Sequence, residues 1–331
     1  MRTRSPRSGP VVAVDLGGTD IKAALVAADG QVLRRVRRAT RRERGPEAVV
    51  DTVVDTAAGL AAECRAVGGH QPVAAGVVVP GIVDERRGIA AYSANLGWRD
   101  LPLREVLTER LGIPVELGHD VRAGAVAEGR LGAGRGRDDF LFVALGTGIA
   151  AVHVRDGSAH GGRHGGAGEL GHLTVRRGGP KCGCGNRGCL EGLASASAVA
   201  HRYHRALRRL SGAGAPRVTA EQVSRLAAAG EPVARRIWDE AVAALADGLT
   251  ACVVLNDPGL IVLGGGLARA GTALTDPLEK SLAERLRFHA PPALAVAELG
   301  SEAGCHGAAL LALDRVGAVP TPAPARTGAS A

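Results

Sequence analysis

Val11-Val12-Ala13-Val14-Asp15-Leu16-Gly17-Gly18-Thr19-Asp20 reads as a short buried strand that runs into a glycine turn. Ile21–Ala27 returns as a second strand, and Asp29-Gly30 forms a hairpin turn into a third. Pro46 then opens a helix whose Val49, Val50, Val53, Val54, Ala57, Leu60 and Ala61 share one stripe. Val73–Val79 is a further buried strand, stopped by Pro80-Gly81. Hairpin-linked strands, a helix and one more strand describe a mixed sheet with helices packed on it. The second half repeats the theme: Phe140–Leu145 ends in Gly146-Thr147-Gly148 and returns through Ile149–Val154. Helical patterns cover about 192–210, 219–229 and 232–255, and strand Leu260–Leu263 ends in Gly264-Gly265-Gly266. A last helix, about 302–315, carries Ala303, His306, Ala309, Leu310 and Leu313 on its apolar face. Two similar strand–turn–strand units imply a duplicated α/β architecture with a cleft between two lobes.

Composition narrows the function classes. A chain of 331 residues exceeds a usual single core, so two lobes are the expectation. The cores must be built from Val, Leu, Ile and Ala, because only 2% of residues are aromatic. No apolar run approaches the length that spans a bilayer, and Asp15 ends the first one too early for a signal core. A reducing, cytoplasmic compartment is the simplest expectation. The net charge of +8 is concentrated: residues 1–44 hold eleven basic and four acidic side chains, a surplus of +7. The Arg34–Arg44 run reads as a solvated strand face that protects a sheet edge. Stacking aromatics are nearly absent and nothing ahead of residue 11 fits a helix-turn-helix, so nucleic acid is not an expected partner.

The segment Glu169–Glu191 concentrates metal-type ligands. It holds His172, Cys182, Cys184 and Cys189, with Glu169 and Glu191 at its flanks. One histidine and three cysteines suit a closed tetrahedral zinc site. A disulfide framework belongs to small secreted chains, and a redox-active cysteine pair is the remaining alternative. The two glutamates exceed what zinc needs, which suggests that the loop also presents groups to a ligand.

Glycine turns at strand ends let backbone N–H groups approach phosphate oxygens. Three occur here, at Asp15–Thr19, Gly146–Gly148 and Gly264–Gly266. None of Lys22, Lys181 and Lys280 follows a glycine, so there is no Walker A motif. The G-x-G-x-x-G matches at Gly166/Gly168/Gly171 and Gly183/Gly185/Gly188 neither follow a strand nor open a helix, which removes the main support for a nicotinamide enzyme.

These motifs, with Pro80-Gly81, Asn95-Leu96-Gly97-Trp98, His119-Asp120 and Gly168–His172, together resemble the ROK family of bacterial sugar kinases. The resemblance runs from residue 11 to about 315. It implies a two-lobed actin-like (RNase H-like) ATPase fold of the actin/hexokinase superfamily, each lobe a mixed β-sheet flanked by helices. It implies C6 phosphorylation of a hexose, glucose first, with ATP and Mg²⁺; N-acetylmannosamine, another hexose, and a non-catalytic sugar-sensing regulator are the alternatives. The last is disfavoured because the first motif begins by residue 15, leaving no room ahead of it for a DNA-binding domain. The resemblance assigns Asp120 as the catalytic base. Gly81, Asn95, His119, Asp120, Glu169, His172 and Glu191 would surround the sugar. Asp15, Gly17, Gly18, Thr19, Gly146, Thr147, Gly148, Gly264, Gly265 and Gly266 would hold ATP, with Asp15 placing Mg²⁺ through water. A zinc-braced knuckle, 172–189, and a homodimer or homotetramer complete what it implies.

Taken alone, Asp120 serves equally as an N-cap, Asn95 as a turn residue, Glu169 as a surface ion-pair partner and Glu191 as a helix cap. The family usually has Asn in place of His119, a second Asn in place of Arg122, and often Gly in place of Ala150. These departures leave the chemistry of Asp120 intact and bear on which sugar is accepted. The expected organisation is a basic disordered tail (1–10), an N-terminal lobe (11–118), a larger C-terminal lobe (119–300), a helix packing back on the first lobe (301–316), and a disordered tail (317–331).

Overall fold

The computed structural model describes residues 9–68, 71–211 and 216–318. The expected tails fall mostly outside these residues, although Pro10 already accepts a hydrogen bond from Val73 N and Gly317 ends the last helix. The chain divides into two compact units. Unit 1 runs to Leu131 and adds Gly161–Gly166 and the chain from Ser301; unit 2 is Gly132–His160 with Ala167–Gly300.

Unit 1 opens on β1 (Val11–Leu16), β2 (Asp20–Val26) and β3 (Val32–Ala39), followed by α1 (Pro46–Gly68) and β4 (Ala74–Val79). A small antiparallel sheet follows, β5 (Ile82–Asp84), β6 (Ile89–Ser93) and β7 (Trp98–Leu101). Then come α2 (Leu103–Leu111), β8 (Val115–His119) and α3 (Asp120–Leu131). The main sheet has the order β3-β2-β1-β4-β8, antiparallel on the hairpin side and parallel from β1 through β4 to β8. Every residue of β4 is buried, as expected of a central parallel strand covered on both faces. β3 forms the edge, and its exposed arginines occupy the place where a bare strand would invite pairing with another chain.

Unit 2 repeats the plan with β9 (Asp139–Leu145), β10 (Ile149–Arg155) and β11 (Ser158–Ala159). Its helices α4 (Glu191–Ala194), α5 (Ala196–Ser211), α6 (Ala220–Ala228) and α7 (Pro232–Asn256) precede β12 (Leu260–Gly264), α8 (Thr272–Arg285) and β13 (Ala293–Val296). The sheet order β11-β10-β9-β12-β13 mirrors that of unit 1, with a hairpin first and parallel strands after it. The single helix expected over 192–210 is broken at Ser195. That residue is extended (ψ 157°), its Oγ accepts from Ala198 N at 3.1 Å, and Ala196 N turns away to Gly146 O at 2.9 Å.

The chain ends in α9 (Ala303–Val316), which returns to unit 1. Ala308, Ala309, Ala312 and Leu313 pack with Val11, Ala13, Ala74 and Val78 on one face of the sheet, while α1 and α2 cover the other. His306 departs from the expected apolar stripe: it is only half-buried, and burial together with Arg35 lowers its pKa. Because Ala123 of α3 shares the core of α9, the division between units falls after Leu131 rather than before His119.

Candidate active site

In unit 1, β1 and β8 flank β4 and run parallel to it, which carries Asp15 and Asp120 to the same C-terminal end of those strands. Asp15 lies where β1 runs out towards the Gly17–Thr19 turn. Its carboxyl rests against Gly304 in the first turn of α9: a Cβ on Gly304 would stand 2.6 Å from Asp15 Oδ2. Burial, then the neighbouring Asp120 charge, raise the pKa of Asp15 to about 7; Lys22 pulls it down and Glu302 pushes it up. Lys22 in turn donates to Ser301 O. Asp120 begins α3, with Oδ1 accepting Val121 N at 2.7 Å. Burial raises its pKa to about 6, against the pull of the Val121 N–H and Arg122.

His119 and Arg122 form a connected group behind Asp120. Glu85 Oε1 accepts from His119 N and from Arg122 Nε, both at 3.0 Å. The guanidinium of Arg122 is buried and also donates to Gly165 O at 3.1 Å and Val83 O at 3.3 Å. Arg122 N donates to His119 Nδ1 at 3.3 Å, which assigns the ring proton to Nε2. Burial, then Arg122, lower the pKa of His119 to about 4, so the ring is neutral at physiological pH. An asparagine offers both a donor and an acceptor from its amide; this imidazole, with Nδ1 occupied, retains only a donor.

Gly17 N donates to Asp20 O at 2.9 Å, so this N–H is consumed inside the turn. The N–H groups of Gly18 and Thr19 meet no protein acceptor among the described residues. Unit 2 shows the same economy. Gly146 N donates to Gly148 O at 2.9 Å, leaving Thr147 and Gly148.

The second turn is braced differently. Glu191 Oε2 accepts Ile149 N at 3.1 Å, and a Cβ on Gly148 would stand 2.5 Å from that same oxygen. The carboxylate is therefore seated against the turn, a contact that only glycine at 148 allows. From the other side, Ser197 Oγ donates to Thr147 O at 2.5 Å. The Gly264–Gly266 turn emerges beside it, because Gly264 of β12 pairs with Ala144 of β9.

His172, Cys182, Cys184 and Cys189 converge in unit 2, with their ligand atoms all within 4.8 Å of one another. Cys182 Sγ stands 3.7 Å from His172 Nδ1, and Cys184 Sγ stands 3.7 Å from Cys189 Sγ. A zinc tetrahedron with Zn–S bonds of about 2.3 Å has edges of about 3.8 Å, which these two separations match, and the donor set suits that metal. All the cysteines are free thiols. His172 Nε2 points away from the sulfurs, 4.0 Å from Glu169 Oε2. Leu190 N donates to Leu173 O at 2.9 Å, tying the end of the knuckle, and Glu191 after it, to the His172 side.

Unit 1 thus gathers Asp15, His119 and Asp120 at one end of its parallel strands. Unit 2 gathers Glu169 with His172 beside the sulfurs, and Glu191 with the Gly146–Gly148 turn. Gly81 follows β4 and packs against Tyr92 and Ser93, while Asn95 is exposed in the turn between β6 and β7. Sequence reasoning missed Glu85 and Ser197, and it noted Arg122 only as a departure. Their partners lie 37 and 50 residues away, beyond the reach of any local pattern.

Two mirrored sheets, each opening on a hairpin with a glycine turn, are those of an actin/hexokinase-like ATPase. The model of the ROK family matches residues 11–315, and the chain belongs to that family. It is 34% identical over 318 residues to the glucokinase of Thermotoga maritima, covering 93% of this chain and 98% of that protein. The crystal structure of the ROK hexokinase from Thermus thermophilus superposes with a TM-score of 0.78 at 37% identity, over 93% of this chain and 99% of that one. A ROK family glucokinase from Streptomyces griseus in complex with glucose and AMPPNP gives the same TM-score, 0.78, at 32% identity, over 92% of this chain and 100% of that one.

Proposed function

We infer that this chain is an ATP-dependent hexose kinase that phosphorylates glucose on its C6 hydroxyl. The observation that carries the reading is Asp120. This carboxyl at the head of α3 has a proton affinity raised toward neutrality, and it lies in a chain whose relatives over nearly full length are glucokinases and hexokinases. As the C6 oxygen attacks the γ-phosphorus, its proton passes to an Asp120 carboxylate oxygen and ADP leaves. A carboxylate with a pKa of about 6 is ionised at pH 7, yet is a stronger base than an ordinary aspartate. The N–H groups of Gly18, Thr19, Thr147 and Gly148 would receive phosphate oxygens, so most of the catalysis is positioning and charge stabilisation.

His119 Nε2–H would donate to a sugar hydroxyl, and Gly81, Asn95, Glu169, His172 and Glu191 would complete the sugar shell. The acidic cluster around Asp15 is a donor set that a hydrated cation stabilises, so Asp15 would hold Mg²⁺ through water. Mg²⁺ bound with ATP supplies neutralisation of the phosphate charge. His172, Cys182, Cys184 and Cys189 would hold zinc as a brace that fixes Glu169 and Glu191. We place the protein in the cytoplasm, as a homodimer or homotetramer. The free thiols suit a reducing compartment, and no helix among the described residues is long and apolar enough to cross a membrane.

The test is a coupled assay with ATP across glucose, mannose, N-acetylglucosamine and N-acetylmannosamine. Glucose is expected to give the highest kcat/KM. A higher value for an N-acetylhexosamine reassigns the sugar, and inactivity on all four refutes the kinase reading.

A further inference from the structure

The arginine-rich stretch after β2 is only partly explained by edge protection. Within β3, Arg34 pairs with Glu63 at 3.1 Å, Arg35 with Glu302 at 3.8 Å and Arg37 with Asp20 at 2.9 Å. Arg38, Arg41 and Arg44 have no acidic partner within salt-bridge distance among the described residues. Arg41 and Arg44 also lie beyond the end of the strand at Ala39, where there is no edge to protect. The three line a single cavity of about 410 Å³ between the end of β3 and α1, together with Ala39, Thr52 and Asp55.

The backbone is shaped to bring them there. Arg41 takes a left-handed conformation (φ 53°, ψ 42°) that non-glycine residues rarely adopt, and Arg44 N closes a short turn on Arg41 O at 3.0 Å. Thr40, buried between this loop and β3, donates N–H to Thr19 O at 2.8 Å and Oγ1–H to Gly17 O at 2.7 Å. The cavity wall is thereby fastened to the back of the Gly17–Thr19 turn. Three guanidiniums against the single carboxylate of Asp55 leave a surplus of two positive charges. Planar guanidinium forks match phosphate oxygens in pairs. The cavity volume lies within the range of small-ligand sites.

We propose that this cavity is a binding site for a small, multiply charged phosphate anion, held by Arg38, Arg41 and Arg44 and separate from the reacting phosphates. Two sources share this chemistry, an inorganic oligophosphate and a phosphate monoester such as the sugar phosphate that the enzyme would make. The site does not depend on the kinase reading, because binding is measured without turnover.

The experiment is calorimetric titration of tripolyphosphate, and separately of glucose 6-phosphate, into the full-length protein already saturated with glucose and AMPPNP. A prior titration of those two ligands shows whether the catalytic site is filled, so its failure and the failure of this proposal are distinguishable. One equivalent of at least one phosphate probe is expected to bind. The Arg41→Gln/Arg44→Gln variant should weaken it by about tenfold or more, while Arg34→Gln outside the cavity changes it by less than about twofold. Arg41→Lys/Arg44→Lys keeps the charge and should recover part of the affinity, which separates loss of the site from loss of folding. Binding of tripolyphosphate alone identifies an oligophosphate site, and binding of glucose 6-phosphate alone a product-type site. No binding of either probe, or an equal loss with Arg34→Gln, overturns the proposal.

Discussion

The two glycine turns are the same backbone device set in opposite electrostatic surroundings. Behind the first, burial raises the proton affinity of both Asp15 and Asp120, and the charges of Asp120 and Glu302 raise that of Asp15 further. Behind the second, Glu191 lies two residues beyond Cys189 of the knuckle, and its Oε2 accepts from Ile149 N. A duplicated fold therefore need not duplicate its chemistry. Unit 1 holds carboxyls whose proton affinity burial raises, and unit 2 holds one that accepts a backbone N–H beside its own turn. The most direct way to break this contrast is Asp120→Asn, which keeps the shape and removes the acceptor. We expect kcat to fall by about 10²–10⁴-fold while glucose affinity stays within about threefold. In the unaltered enzyme, kcat/KM should fall as pH drops through about 6, because the base works only when ionised. A variant with substantial residual turnover would remove Asp120 from the role of base.

On the unit 2 side, the proposed zinc brace gives the second test. Metal analysis of the purified protein should find about one zinc per chain. Cys184→Ser should lower that content and weaken glucose binding by about 10–100-fold, since shells that orient ligand-holding groups have effects of that order. Full glucose affinity in zinc-free protein would mean that Glu169 and Glu191 are held by the fold alone.

How far the sequence revealed this contrast depends on the range of each interaction. The hairpins, their glycine turns and the clustering of His172 with three cysteines were legible because each is local: an apolar run, a turn signal and a short Cys/His spacing. β8 escaped notice because Val115-Glu116-Leu117 is brief and follows Ile113-Pro114, although it is the strand that delivers His119 and Asp120. The break at Ser195 was also hidden. A serine is tolerated within a helix until its neighbour's N–H is claimed by Gly146 O, a contact 50 residues distant. Arg122 could be seen as an oddity but not as a clamp, because Glu85, Val83 and Gly165 meet it only through tertiary structure.

That clamp gives a third test. Arg122→Asn restores the usual family residue and releases the Gly161–Gly166 segment, which unit 1 holds just before the chain reaches Glu169. Leaving the carbonyls of Val83 and Gly165 without their donor should cost about 1–3 kcal/mol. The glucose KM should rise by about three- to tenfold with kcat within about twofold, the pattern of lost positioning rather than lost chemistry. Trypsin should cut faster after Arg163, which is exposed and lies in the released segment. Unchanged cleavage with a raised KM would place the effect on His119 instead, and Arg122→Lys should recover only part of it because an ammonium cannot make the forked contacts.

The smallest effect expected probes the cost of crowding acids behind the first turn. The folded-state pKa of Asp15 is about 7 against an ordinary 3.8, so between these values the folded protein holds a proton that the unfolded chain has lost. Stability linked to this group is complete below about pH 4 and declines as pH rises, until the carboxyl is fully ionised above about 7. Asp15→Asn removes the titration. It should therefore raise the melting temperature at pH 8 relative to the unaltered protein, with the difference shrinking toward pH 4. Solvent screening of a carboxyl that is not fully buried limits the gain to about 1–2 kcal/mol, or a few degrees. A pH-independent difference would assign the change to packing against Gly304 rather than to charge. The same variant should lose activity, as expected where the fold gives up stability to keep a carboxylate beside the Gly17–Thr19 turn.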